Sequence, residues 1–82
     1  MFLEIITPDK QIFSGEVVSA TLPGKKGSFQ ILNNHAAVIS TLDAGTLKYK
    51  ANNKEEVSLE ILGGVAEVLN NNIQVLIEGI KK

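Results

Sequence analysis

Few residues of this chain are equipped for covalent or metal chemistry, and several of them share one stretch, GSFQILNNHAAVISTLD, spanning positions 27–43. It holds the only histidine, His35, followed by Ser40 and Asp43. A Ser–His–Asp relay can be drawn from Ser40, His35 and Asp43, but the G-x-S-x-G elbow that exposes a nucleophilic serine is missing. A metal site needs several imidazole, thiolate or carboxylate ligands. His35 has no second histidine, and Asp43 is the only nearby carboxylate in sequence. The chain has no cysteine, which removes a thiolate nucleophile, a thiolate zinc site and a disulfide framework together. All 8 basic residues are lysines, so no planar guanidinium is present to clamp phosphate or carboxylate. PGKKGS at 23–28 lacks the spacing of a phosphate-binding loop and reads as a turn. What remains for His35 is a loop imidazole bonded to backbone, which is compatible with a contact role.

The elements that position these residues follow from a periodicity near two. In FLEIIT (2–7), Leu3, Ile5 and Thr7 alternate with Phe2, Glu4 and Ile6. Pro8-Asp9 then supplies a turn, Asp9 being able to bond backbone two residues on. QIF reads as a short strand ended at Ser14-Gly15. EVVSATLPG places Val18, Ala20 and Leu22 on one face and Val17, Ser19 and Thr21 on the other. GSFQIL follows, with Phe29 and Ile31 together. A turn at 43–45 leads to TLKYKA, with Leu47, Tyr49 and Ala51 facing inward. EVSLEIL aligns Val57, Leu59 and Ile61. Asn70-Asn71, between VAEVL and NIQVLIEG, is a hairpin tip, since Asn tolerates positive φ. Gly63-Gly64 marks a bulge or a close backbone approach. HAAVISTLDAG is too β-branched for a helix and supports at most one turn, near Ala36-Ala37. These runs give an all-β fold, an antiparallel β-sandwich or flattened barrel of about ten short strands in a single domain over 1–82.

Bulk numbers narrow the partners. Eighty-two residues make one small, lean core, and a chain of this size gains from burying surface against a neighbour. The net charge is −1, with 8 Lys+Arg against 9 Asp+Glu, so there is no basic field for nucleic acid. A single-strand-binding β-barrel is the alternative reading, with Phe29 and Tyr49 as its stacking aromatics, although both fall on core phases. No apolar run approaches the roughly 20 residues of a bilayer-spanning helix.

The series IFSGEV, PGKKGSFQILNNHAAVISTLDAGTL and LGGVAEVLNNNIQVL resembles the N-terminal domain of the epsilon subunit of bacterial F-type ATP synthase. The matching pieces are Phe13-Ser14-Gly15, Gly27 to Ile31, His35-Ala36, Leu42 to Gly45, Gly63 to Val68 and Asn72 to Leu76, in order along the chain. The resemblance implies a non-catalytic rotor-stalk subunit without cofactor, metal or nucleotide. Its partners would be the gamma subunit and the c-ring, at the cytoplasmic face of the bacterial inner membrane and touching the membrane only through the ring. By position it implies c-ring-facing contacts at Gly27, Ser28, Asn33, Asn34 and His35, and gamma-facing contacts at Thr7, His35 and Ser40. Three departures qualify it. Family members commonly read His-Ala-Pro where His35-Ala36-Ala37 stands here, and Ser28 occupies a position that is often acidic. The helical hairpin that follows this domain in typical members, and that restrains ATP hydrolysis, is expected to be absent.

Overall fold

The computed structural model describes residues 1–52 and 54–81. Alternation sets the strands: β1 Phe2–Ile6, β2 Gln11–Glu16, β3 Ser19–Gly24, β4 Gly27–Leu32, β5 Val38–Leu42, β6 Gly45–Lys50, β7 Glu56–Ile61, β8 Gly64–Leu69 and β9 Asn72–Ile77. They hydrogen-bond in the order β2-β1-β9-β8-β5-β3-β6-β7, with β4 on the free side of β3. The path folds into two layers, β2-β1-β9-β8-β5 and β4-β3-β6-β7. These join through one residue pair, Gly24 with Leu42. On the opposite flank a single bridge from Ile61 to Ile80 ties β7 to the chain leaving β9. Leu3, Ile5, Ile73 and Val75 of the first layer meet Leu22, Ile31 and Leu47 of the second, all fully buried. Phe13 and Tyr49 stack across the gap with centroids 4.3 Å apart.

The all-β sandwich expected from the sequence is present, with one exception to antiparallel pairing. β1 and β9 run parallel, Phe2 opposite Asn72 through Ile6 opposite Leu76. Parallel neighbours need a long crossover, and here almost the entire chain serves as one.

Other expectations change for local reasons. β2 does not stop at Gly15: that glycine pairs with Leu3, and the strand runs on to Glu16. EVVSATL is not one run. Val17 is buried and Val18 exposed because the chain steps between layers there. Val17 N–H donates to Met1 in the first layer, and Val18 N–H donates to Lys50 in the second, each at 2.8 Å. Residues 38–42, too β-branched for a helix, form β5. The turn lies at Asn33-Asn34 rather than at Ala36-Ala37. Val57 is exposed because β7 is an edge whose inner face is covered only towards Ile61. The turn after β1 uses Thr7, not Asp9: its Oγ1 accepts the Asp9 and Lys10 N–H groups at 3.2 and 3.1 Å.

Two turn expectations hold. Asn70 and Asn71 close the β8–β9 hairpin at φ 52° and 61°, the mirror-image turn that matches strand twist. Gly64 sits between Leu42 and Ile77, and a Cβ there would lie 2.1 Å from the Leu76 carbonyl oxygen. Only glycine lets β8 and β9 approach so closely.

Candidate docking surface

The would-be relay is dismantled by the fold. His35 precedes β5 and Asp43 follows it, so the five-residue strand holds them at least about 13 Å apart along its axis. The His35 Nδ1–H donates to the Ala36 carbonyl at 2.7 Å, since a carbonyl can only accept. Ser40 Oγ donates to the Thr41 carbonyl at 3.2 Å. Each polar group is spent on nearby backbone. Among the described residues no three His, Asp or Glu side chains gather as a metal site would require. Tyr49 is buried and Phe29 packs on the same core, so neither stands on an outer face to stack a base. Burial raises the Tyr49 hydroxyl above its ordinary pKa, because the ionised form would lose water.

The contact residues implied by the resemblance fall at two ends of the block. Gly27 and Ser28 open β4 at the Lys25-Lys26 tip of the β3–β4 hairpin, Gly27 opposite Gly24 at φ 125°. That tip lies beside Leu42, because Lys25 N–H donates to Thr41 and Asp43 N–H to Pro23. Thr7 follows the last residue of β1 on the same side, next to the Ile6–Leu76–Val65 row. Asn33, Asn34 and His35 stand at the far end of β4, about 17 Å away along a six-residue strand. There the Asn34 N–H donates to Asn71 Oδ1 at 2.6 Å, and the Asn71 amide returns a bond to Asn34 Oδ1 at 3.1 Å. This reciprocal pair pins the loop before β5 to the β8–β9 hairpin and fixes where His35 is presented. Ser40 lies between the two ends, half-buried in a groove between β4 and β5. One partner can touch both ends of β4 only by lying along that strand's unpaired edge. Thr7, His35 and Ser40 do not form one cluster.

A third surface was absent from the reading of the sequence. On the outer face of the first layer, register aligns Thr41, Val65, Leu76 and Ile6 in one row. Ile39, Glu67, Gln74 and Glu4 form the next, and Leu69, Asn72 and Phe2 a third. Ile39 is 72% exposed, Leu69 50%, Leu76 48% and Val65 44%. These four are half of the eight large apolar side chains left exposed among the described residues, and they share one face. A shallow hollow bounded by Ile6, Ile39, Val65 and Leu76 has Glu67 and Gln74 in its lining. Contiguous apolar area of this kind marks a binding surface on a small protein. The signal was available in principle: β1, β8 and β9 carry apolar residues on both phases, as strands covered on two sides do.

The family model for the ATP synthase delta/epsilon chain β-sandwich domain matches residues 1–82. An ATP synthase epsilon chain of Sulfurimonas denitrificans is 42% identical over 94% of this chain, which spans 59% of that relative's length. One from Chlorobium limicola is 41% identical over 95% of this chain and 89% of its own. Among solved structures, a chain of the Euglena gracilis mitochondrial ATP synthase superposes with TM-score 0.89 at 21% identity, over 96% of this chain and 51% of its own. A chain of the Tetrahymena thermophila mitochondrial ATP synthase central stalk and c-ring gives TM-score 0.84 at 20% identity, over 100% of this chain and 66% of its own. Likeness at that identity speaks to fold alone.

Proposed function

The chain belongs to the ATP synthase delta/epsilon chain β-sandwich family, and from that premise we propose that it is a non-catalytic epsilon-type subunit of the rotor stalk. It is gripped by the gamma subunit and rests on the c-ring. It cleaves no bond, holds no nucleotide or metal, and passes torque through a stiff block. The observation that carries this reading is the apolar outer face of β1, β9, β8 and β5, where Ile39, Val65, Leu69 and Leu76 await cover. Gamma takes that face, bordered by Thr7 and by the loop that presents His35, with Ser40 around the open edge of β5. The ring lies along the free edge of β4, so that the Gly27-Ser28 tip and the Asn33–His35 loop reach it together. Ser28 supplies a hydroxyl beside that tip, whose turn carries Lys25 and Lys26. The assembly sits at the cytoplasmic face of the bacterial inner membrane, and this subunit is held there only through the ring. No described helix is long and apolar enough to cross a membrane.

Co-expression with the gamma subunit of the same organism tests the reading. A stoichiometric complex that survives gel filtration at moderate salt is expected. Failure of the folded chain to co-purify with gamma overturns it.

A further inference from the structure

The docking face is apolar, but its centre is not. Glu67 stands between Ile39 and Gln74 across the strands, with Val65 and Leu69 two residues away on the same face of β8. Glu4 lies at the far end of the same row and accepts a hydrogen bond from Gln74 Nε2 at 3.3 Å. The one ion pair among the described residues joins the Met1 ammonium to Glu16, at the rim of the first layer. No lysine lies in the three rows of this face: its carboxylates are Glu4 and Glu67, together with Glu16 at the β2 end opposite Phe2, which is paired with the Met1 ammonium.

We propose that the partner covering this face brings a lysine or arginine, ringed by apolar side chains, that pairs with Glu67. The inference rests on the reading above, that this face meets gamma. Covering Ile39, Val65, Leu69 and Leu76 removes water from Glu67 as well. A carboxylate stripped of water and left unpaired costs several kcal/mol, so a wholly apolar partner surface would gain little. A second copy docking by two-fold symmetry would set the same two carboxylates against themselves, like charge facing like. An anionic lipid surface is repelled for the same reason, with no lysine on the face to offset it. A basic centre with an apolar rim answers both features at once, and it fixes the rotational register that a plain greasy face leaves free.

The experiment compares binding of purified gamma to wild type, Glu67→Gln, Glu67→Lys and Glu55→Lys, with titrations at several salt concentrations. Residues 67 and 55 are both exposed, so folding is undisturbed, and circular dichroism spectra verify it. Glu67→Gln should weaken binding about 10-fold and flatten the salt dependence, and Glu67→Lys should weaken it about 100-fold. Glu55→Lys, with the same charge change in the loop before β7, should stay within about 2-fold. A lysine- or arginine-to-glutamate change in gamma that restores the Glu67→Lys affinity identifies the partner cation. If wild type binds gamma and Glu67→Lys binds equally well, the pairing is overturned while the stalk reading stands. If wild type does not bind gamma, or pairs with itself through this face, both fall.

Discussion

The two layers of the sandwich share one core yet turn different faces outward. Outside the first layer lie Ile6, Ile39, Val65, Leu69 and Leu76, with the carboxylates Glu4, Glu67 and Glu16 and no lysine. Outside the second lie Gln30, Thr21, Lys48 and Ser58 in one row, and Lys50 opposite Glu56 in another. Thr46 Oγ1 donates to Glu60 across β6 and β7. The second face is polar apart from Leu32, which stands alone at the end of its row opposite Ser19. The first completes neither its apolar burial nor its charge balance alone. The contrast teaches that the two layers share the core equally but not the apolar surplus, which lies mainly outside the first.

The hardest blow to that contrast is Gly64→Ala. The new methyl has no room against the Leu76 carbonyl, so β8 must leave β9 and the first layer loses its register. A loss of about 3 kcal/mol or more in denaturant unfolding is expected, enough to unfold much of a domain this small. A smaller and more selective effect separates the faces. Leu76→Asp should lower gamma affinity about 100-fold, whereas Gln30→Asp on the second layer's outer face should change it less than about 2-fold. Both positions are exposed, so the stability of the isolated chain should shift by no more than about 0.5 kcal/mol in either variant. Calorimetric titration and thermal melts read the two quantities separately.

The smallest effect belongs to the core that both layers share. Tyr49 has its pKa raised above 10.0 in the folded protein by burial. The folded state therefore holds the phenolic proton more tightly than the unfolded chain does. That contribution is fully present below pH 10 and is lost as pH rises through the folded value. Tyr49→Phe should thus flatten part of the fall in stability above pH 10 and leave the neutral range nearly unchanged. A series of urea melts against pH measures it.

Sequence reasoning reached the core more easily than the surface. Inward phases in SATL and GTLKYK were visible because each sets apolar against polar, and the Asn70-Asn71 and Gly63-Gly64 turns were visible because few other residues fit them. β5 was hidden because Ile39 reverses the expected pattern: its apolar side chain points out. The docking face was hidden for the same reason, since Val65, Leu69 and Leu76 look like surplus core until register lines them up beside Ile39. His35 drew notice as a lone imidazole, yet the group that fixes its position is the Asn34–Asn71 pair, whose members lie 37 residues apart. Such a pairing has no local signature. Nor does sequence order reveal that Gly27 and His35 occupy opposite ends of one strand.

The central claim is that the first layer's outer face, and not the second's, is the one gripped. Hydroxyl-radical footprinting of the chain, free and in complex with gamma, tests it most directly. The account predicts that Ile39, Val65 and Leu76 lose reactivity on binding while Lys48 and Lys50 keep theirs. Protection of the β6–β7 face, with Ile39 and Leu76 still fully reactive, would contradict it.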